Sequence, residues 1–214
     1  MTLEFDPAEF DEWAASYDEE TRAESGFPFE GYTRILARIA AAVQPAGDIL
    51  DLGAGTGTLS ALLARRGARL WCLDFSEKML AIARGKLPDA QFAVVDARGP
   101  WPSTFRRRYS AIVSAYTFHH FPLTEKIALL RGLLNDHLLP NGQLAIGDIS
   151  FLTAAARNAY RARAGSEWDE EYCWLADETL PALTAEGWQV SYEQVSPCAG
   201  VYVIASAFNQ ERTP

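Results

Sequence analysis

Cysteine and positive charge are both scarce in this chain. Its 214 residues include three cysteines, Cys72, Cys173 and Cys198, and no C-x-x-C pair. An odd number of scattered cysteines argues against a disulfide framework or a zinc knuckle, and predicts a reducing, cytoplasmic location. The 19 basic residues are outnumbered by 28 acidic ones, which gives a formal charge of -9. Such a surface repels phosphate and anionic lipid, so we expect neither nucleic acid nor membrane as a partner.

Long apolar runs and targeting signals are also missing. No uninterrupted apolar stretch approaches the ~18 residues of a membrane-spanning helix, and the acidic N-terminus lacks the basic-then-apolar order of a signal peptide. With 49% hydrophobic residues, the chain can form one good core but is short for a second ordinary domain. We therefore predict one soluble domain over residues 1–214, either monomeric or homodimeric.

Strand and helix patterns alternate along most of the chain. Two amphipathic helices are expected within residues 1–46, and they would form a lid on the rest of the domain. Within a core of residues 47–150, helices alternate with apolar strands at 48–52, 69–75, 91–96, 110–116 and 143–149. Apolar strands without polar alternation are typical of a parallel sheet that helices cover on both faces.

The end of the chain breaks this alternation. An insertion at 151–176 is expected to be partly helical, and residues 177–214 to form a helix and two strands, 188–195 and 201–208. Only five residues, SPCAG, separate these strands, which suits an antiparallel hairpin and is too short for a parallel crossover. The predicted fold is thus α/β, a Rossmann-like, seven-stranded and mostly parallel sheet with helices on both faces and a C-terminal antiparallel hairpin.

The stretch ILDLGAGTGTLS at 49–60 contains the end of the first core strand and the glycine-rich turn that follows it. Gly53, Gly55 and Gly57 can adopt positive φ and bring a ligand close to the main chain, and the next helix offers N–H groups to a carboxylate. The second strand ends in Asp74, 23 residues beyond Asp51, where such folds keep an acid for ribose hydroxyls. This spacing indicates a nucleoside ligand at the carboxyl ends of the strands.

Three further side chains are placed to complete a nucleoside site. The third strand ends in Asp96, whose carboxylate can accept from an exocyclic amine, and Phe75 with Met79 can cover the faces of a purine. A dinucleotide dehydrogenase is an alternative, although its fingerprint is G-x-G-x-x-G and the third glycine here is already at Gly57. A purely structural turn is a second alternative.

The motif hh-D-hh-G-x-G-x-G, followed by acids that close strands two and three, resembles the class I S-adenosylmethionine-dependent methyltransferases. The stretches FDEWAASYD and VSAYTFHHF also resemble small bacterial members of that class. The resemblance implies S-adenosylmethionine as cofactor, S-adenosylhomocysteine as product and a small-molecule methyl acceptor; a non-catalytic sensor of the cofactor is the alternative. It implies that the glycines line the methionine part, Asp74 binds ribose and Asp96 with Ala97 binds adenine. The cofactor-binding residues expected from the motif and its surroundings are Tyr17, Asp51, Gly53, Gly55, Gly57, Asp74, Phe75, Met79, Asp96 and Ala97.

Candidates for the acceptor side follow the fourth strand and lie in the first helices. His119 or His120 could remove a proton from the acceptor, and we rank His119 first as the catalytic residue. Asp18 is expected to end its helix or stay solvated. Asp148 and the acids of 167–171 are expected to be strand-end and surface charge, so we predict no metal. The aromatic residues that could line the pocket of the methyl acceptor are Trp13, Tyr17, Tyr32, Tyr116, Phe118, Trp168, Tyr172 and Trp174.

Overall fold

The structure, a computed structural model, describes residues 7–206, and a mixed sheet of eight strands runs through this part of the chain. The strands are β1 (Asp48–Leu52), β2 (Arg69–Asp74), β3 (Gln91–Val94), β4 (Tyr109–Ala115), β5 (Leu138–Phe151), β6 (Trp174–Leu175), β7 (Trp188–Gln194) and β8 (Ala199–Ser206). The α-helices are α1 (Pro7–Ala23), α2 (Tyr32–Ala42), α3 (Thr58–Ala64), α4 (Glu77–Lys86), α5 (Leu123–Gly132), α6 (Ala154–Ala164) and α7 (Ala176–Ala185).

The order of the strands creates a switch point beside β1. The sheet runs β3-β2-β1-β4-β5-β8-β7, with β1 to β5 parallel and β8 antiparallel to both β5 and β7. The chain moves outward from β1 through β2 and β3, then returns to β4 on the other side of β1. Clefts of parallel α/β sheets open where the strand order reverses in this way.

The predicted fold class is confirmed, but its strand count of seven is wrong. The extra strand, β6, lies in the predicted insertion and pairs in parallel with the end of β5, Ser150 opposite Trp174 and Phe151 opposite Leu175. A strand of two residues carries no periodicity, so its pattern could not be recognised in the sequence. The insertion is otherwise partly helical, as expected, because it contains α6 and a short 3-10 turn, Gly165–Glu167.

Several helix boundaries follow from local signals. Ser76 caps α4 by accepting a hydrogen bond from the main-chain N–H of Met79, and Thr153 caps α6 in the same way through Ala156. Helix α5 begins directly after Pro122, which precedes it as an N-cap residue with extended backbone. It continues as a π-helical turn, Leu133–His137, so that Leu138 already belongs to β5.

Apolar side chains cover both faces of the sheet. On one face, Ile35 and Ile39 of α2 pack in the same buried cluster as Val113 of β4. On the other, Leu50 of β1 and Leu130 of α5 belong to a second buried cluster. These two layers fix the central strands, so the loops at their carboxyl ends have rigid bases.

The C-terminal strands form the predicted antiparallel hairpin. Its register pairs Tyr192 of β7 with Tyr202 of β8, and the loop between the strands is one residue shorter than the sequence suggested. Residues 207 and 208, which were expected to continue the last strand, lie outside the described residues. From residue 7 to residue 206, no helix combines the length and the apolar character needed to cross a membrane.

Candidate functional site

The loops after β1, β2 and β4 meet at the switch point of the sheet. The main-chain N–H groups of Gly53 and Ala54 both donate to the carbonyl of Leu73, at 2.8 and 3.0 Å, which ties the glycine loop to the end of β2. We call the space between these loops the strand-end cleft. Its lining includes Gly53, Gly55, Asp74, Phe75, Met79, Tyr116, Thr117 and His120, and extends to Asp96 and Ala97.

The three glycines of the loop have different surroundings. All have positive φ, 70° at Gly53, 53° at Gly55 and 79° at Gly57. A Cβ on Gly53 would lie 2.1 Å from the Thr117 side chain, and one on Gly57 would lie 3.0 Å from Ala83 of α4. A Cβ on Gly55 would have no neighbour within 4 Å. Gly55 therefore faces open space in the cleft, whereas Gly57 allows α3 and α4 to approach each other.

Asp74 closes β2 beneath the glycine loop. Its carboxylate accepts hydrogen bonds from the main-chain N–H groups of Gly55 and Ser76, at 2.8 and 2.9 Å. Burial raises the pKa of Asp74, while these hydrogen bonds act in the opposite direction. The arrangement holds an acid at the place predicted to bind ribose.

Asp51 does not reach the cleft. It is 1% exposed, lies behind the glycine loop and accepts a 2.7 Å hydrogen bond from the hydroxyl of Ser60. Burial raises the pKa of Asp51 to about 7, with a smaller contribution from the charge of Asp74. Its position suits support of the loop from below, and not direct contact with a ligand.

The predicted purine-binding side chains line two adjoining parts of the cleft. Phe75 and Met79 line one part of it, and Asp96 and Ala97 line the adjoining part. The carboxylate of Asp96 is already engaged by the Arg98 guanidinium at 3.1 and 2.7 Å, which lowers the pKa of Asp96. An amine that binds Asp96 would share that carboxylate with Arg98.

Helix α1 covers the strand-end cleft. The Phe10 ring packs edge-on against Phe75 and His120, with centroids 4.8 and 5.4 Å apart. Asp18 accepts a 2.6 Å hydrogen bond from the Thr56 hydroxyl and pairs with Lys86 of α4. The expectation that Asp18 ends the helix or stays solvated is therefore wrong, because it lies within α1 and joins it to the glycine loop.

The cover leaves little room in the cleft. Two chambers of about 40 and 50 Å³ remain, and Phe10 and Tyr17 of α1 line the smaller one. Both are far below the ~300–1,000 Å³ of ordinary ligand pockets. Entry of a nucleoside therefore requires α1 to move away from the glycine loop. The contacts of Phe10 and Asp18 are the ones that such a movement would break.

A larger cavity of about 510 Å³ adjoins the cleft. We call it the aromatic–acidic cavity, because six aromatic rings and four carboxylates contribute to its lining. Its lining residues are Glu9, Phe10, Trp13, Tyr17, Phe27, Pro28, Phe29, Tyr116, His119, His120, Glu167, Asp169 and Glu171. Phe10, Tyr17, Tyr116 and His120 also line the strand-end cleft, so the two spaces share one wall.

Tyr116 lies where the two spaces meet. It follows β4 with φ 52°, a conformation that L-residues other than Asn and Asp seldom adopt. The residue is 7% exposed, and its buried hydroxyl has no hydrogen-bond partner among the described residues. A strained, buried residue with an unsatisfied polar atom is characteristic of a ligand site.

His119 is held by a buried carboxylate. Asp148 of β5 accepts from the main-chain N–H of His119 at 2.9 Å and from its ring Nδ1 at 2.6 Å. Burial opposes the charged imidazole, but Asp148 outweighs it and raises the pKa of His119. Burial likewise opposes the charge of Asp148, and the imidazole lowers the pKa of that carboxyl. The interpretation of Asp148 as surface charge is wrong, because it is fully buried.

The surroundings of this pair include a residue that the sequence did not single out. Lys126 of α5 is 1% exposed, and its ammonium lies over the Trp174 ring and donates to the carbonyl of Tyr172. Burial lowers the pKa of Lys126 to about 8, while Asp148 has the opposite effect. Its position in an apolar helix gave no sign that the side chain turns inward.

His119, His120 and Glu171 form a compact group of possible ligand atoms. One atom from each lies within 4.8 Å of the others, at one end of the aromatic–acidic cavity. Burial is the main cause that lowers the pKa of His120, to about 2, and that raises the pKa of Glu171 to about 7. Two neutral imidazoles and a carboxyl could bind a cation, either a metal ion or an organic one.

Of the remaining aromatic candidates for the acceptor pocket, some line the aromatic–acidic cavity and others are buried in the core. Trp13 and Tyr17 line the aromatic–acidic cavity, whereas Tyr32 lies behind Tyr116 with ring centroids 5.4 Å apart. Phe118 and Trp174 are buried in the core. Trp168 stacks on Phe27 at 4.6 Å, and so covers that ring from outside.

A further cavity of about 700 Å³ lies between α5 and the loop after β3. Only Ala97 and Arg98 are shared with the strand-end cleft. It is larger, but it contains neither the strand-end acids nor the strained Tyr116. We therefore place the candidate site at the switch point.

Comparisons with known proteins point to one family. A family model described as a methyltransferase domain matches residues 49–142. The chain is 30% identical over 211 residues to the uncharacterized methyltransferase YrrT of Bacillus subtilis, and the match covers 91% of this chain and 94% of that protein. It is 35% identical over 150 residues, 66% of each chain, to an uncharacterized methyltransferase of Alkaliphilus oremlandii. A DhpI-SAM-HEP complex superimposes with a TM-score of 0.72 at 22% identity, over 92% of this chain and 94% of that one.

Proposed function

This chain belongs to the class I S-adenosylmethionine-dependent methyltransferases, and we propose that it transfers the methyl group of that donor to a small molecule held in the aromatic–acidic cavity. One observation carries the proposal. The strand-end cleft and the aromatic–acidic cavity meet at Tyr116, where Phe10, Tyr17 and His120 also line both spaces. A donor in the first space and an acceptor in the second would therefore be neighbours.

The residues of the strand-end cleft suit the donor. Gly55 leaves the main chain bare on the cleft side, and Asp74 holds a carboxylate within reach of ribose hydroxyls. Phe75 and Met79 offer apolar faces to a purine. Gly53, Asp96, Ala97 and Tyr17 complete the proposed lining, with Asp51 and Gly57 supporting the loop.

The donor supplies a sulfonium methyl group, which a nucleophile can displace in line. The protein's part is to hold the two reactants together and to keep water out, and positioning alone can contribute about 7–11 kcal/mol. The aromatic residues of α1 are suited to both tasks, because they cover the cleft. No buried cation is needed beside the reacting sulfur, since its positive charge is lost as the reaction proceeds.

We assign His119 as the base that removes a proton from the acceptor. Its Nδ1 is bound to Asp148, which leaves Nε2 as the nitrogen available to the cavity. A carboxylate partner that fixes the tautomer and orientation of an imidazole is a recurrent arrangement in general-base catalysis. Asp148 then acts as a positioning residue, because it reaches the acceptor only through His119.

Transfer of label distinguishes an enzyme from a sensor. Purified protein is incubated with donor labelled in the methyl group and with a fractionated pool of small metabolites. Label that moves into a small-molecule fraction supports the proposal. Saturable binding of donor and of its demethylated product, with no label transferred to any fraction, would favour the sensor alternative.

A further inference from the structure

We infer that the methyl acceptor is a protonated amine that carries an apolar or aromatic group, and that the aromatic–acidic cavity selects it by charge. This inference rests on the proposed methyl transfer and adds the substrate class. It draws on three independent features of the cavity, namely its charge, its arrangement of rings and its unsatisfied polar atoms.

Apart from its two histidines, the ionisable side chains that line the cavity are all acids. Glu9, Glu167, Asp169 and Glu171 contribute four carboxylates, and no lysine or arginine is among the lining residues in the described part of the chain. Lys126 acts electrostatically on Glu171 and His119, but its ammonium is buried over the Trp174 ring and does not line the cavity. A carboxylate or phosphate acceptor would meet like charge there, whereas an ammonium group would meet opposite charge.

Three of the rings that line the cavity pack against one another in one cluster. Trp13 lies 4.7 Å from Tyr17 and 5.9 Å from Phe29, and Tyr17 lies 5.9 Å from Phe29, measured between ring centroids. Two of these contacts are edge-to-face, so the rings present faces in different directions. Aromatic faces attract cations and also cover apolar groups, which makes a wall of such rings suitable for an alkylammonium.

Two buried side-chain oxygens lack hydrogen-bond partners within residues 7–206. They are the hydroxyl oxygen of Tyr116 and Oε2 of Glu171, and both residues line the cavity. Buried oxygens without partners cost free energy, so they are characteristic of a site that a ligand completes. Both oxygens can accept hydrogen bonds from an ammonium group, which has only donors to offer.

The chemistry of an amine fits the assigned base. The ammonium gives one proton to Nε2 of neutral His119, whose imidazolium is then paired with Asp148. The lone pair released on nitrogen forms the N–CH3 bond, and the S–CH3 bond breaks with its electron pair remaining on sulfur. The products are a neutral thioether and a methylated ammonium, so atoms and charge balance.

Calorimetry with three matched probes tests the selection by charge. The full-length protein is first saturated with S-adenosylhomocysteine and then titrated with phenethylamine, 2-phenylethanol or 3-phenylpropionate. We expect phenethylamine to bind at least about tenfold more tightly than either of the others, because a hydrogen-bonded ion pair discriminates by roughly that factor. Equal affinities, or tighter binding of the carboxylate, would overturn the inference.

Two variants test whether Glu171 is the residue that binds the amine. Glu171→Gln should weaken phenethylamine by about tenfold and leave the S-adenosylhomocysteine affinity unchanged. Glu170→Gln is the matched control, since Glu170 pairs with Arg161 and does not line the cavity. Equal loss in both variants would contradict the assignment of Glu171.

Two further outcomes separate this inference from its alternatives. Micromolar or tighter binding of Zn²⁺ that Glu171→Gln abolishes would overturn it, because a metal ion would then occupy the place of the ammonium. Failure to bind S-adenosylhomocysteine in the first step would instead overturn the proposed function. Appearance of N-methylphenethylamine with labelled donor, detected by mass spectrometry, would support both.

Discussion

Asp148 binds His119 twice, through the main-chain N–H at 2.9 Å and through ring Nδ1 at 2.6 Å. The same carboxylate accepts from the indole N–H of Trp174 at 3.2 Å. These hydrogen bonds fix a buried imidazole between β5 and the aromatic–acidic cavity. The orientation of His119 is therefore set by the core of the sheet and not by the ligand.

Asp148→Asn should change the pH dependence of turnover. Asp148 stabilises the imidazolium and raises the pKa of His119, so in the wild type kcat/KM should rise with pH through a midpoint above the usual ~6.5 of histidine. Without that charge the midpoint should move to lower pH. The value of kcat/KM at high pH should fall about tenfold to a hundredfold, since the tautomer of the His119 imidazole is no longer fixed.

The pH profile of kcat/KM checks this expectation, with donor affinity and melting temperature as controls for folding. A midpoint that stays in place while both controls are intact would show that His119 is not the base.

Gly55→Ala should abolish donor binding while the protein remains folded. Gly55 has φ 53° and free space around it, so the substitution costs roughly 1–2 kcal/mol in backbone strain and adds a methyl group to the cleft. Gly67→Ala is a matched control, because Gly67 also has positive φ and an unobstructed Cβ direction but lies at the end of α3.

Urea denaturation and calorimetry with S-adenosylhomocysteine measure the two effects. Both variants should lose similar stability, and only Gly55→Ala should lose affinity. Similar affinities in the two variants would place the donor away from the glycine loop.

Asp18→Asn should speed the entry of the donor. Asp18 joins α1 to Thr56 and Lys86, and loss of an ion pair and a strong hydrogen bond should make opening about threefold to tenfold more frequent. Stopped-flow fluorescence can follow it, because Trp13 lies on the same helix. Glu19→Gln, at an exposed neighbouring position of α1, is the control. An association rate that is unchanged or lower in Asp18→Asn would mean that α1 does not limit entry.

Asp51→Asn should remove part of the pH dependence of stability. Burial raises the pKa of Asp51 to about 7, above its value of ~3.9 in the unfolded chain. The protonated form is therefore favoured by folding, and this contribution is complete below pH ~4 and is lost as pH rises to about 7. The amide side chain of the variant cannot ionise. The stability of the variant relative to the wild type should therefore increase between pH ~4 and about 7.

Urea denaturation at pH 5, 6, 7 and 8 gives the free energies of unfolding needed for this comparison. A difference between variant and wild type that is constant with pH would contradict the assigned ionisation.

The alternation of helix and strand made most of the fold predictable. Strands β1, β2, β4 and β5 are buried over most of their length, so their apolar runs reflect burial on both faces. Strand β6 was missed because it is held only by its pairing with the end of β5. Pairing partners of such short segments depend on tertiary structure, which no local pattern records.

The site was predictable in part. Gly53, Gly55 and Asp74 follow from strand ends and spacing, whereas the inward position of Asp51 depends on which face of β1 it occupies, and its acidic character suggested a ligand contact. Asp148 and Lys126 were missed as members of the site because charged residues are seldom buried, and only the folded structure shows their partners. The strain at Tyr116 likewise appears only in its dihedral angle.

The most direct test of the account is calorimetry of S-adenosylhomocysteine with the wild type and with Asp74→Ala. Loss of the carboxylate that we propose to bind two ribose hydroxyls should weaken binding by about tenfold to a hundredfold. We predict a saturable heat with the wild type and that loss in the variant. No heat with the wild type, or the same affinity in both proteins, would contradict a donor site at the end of β2.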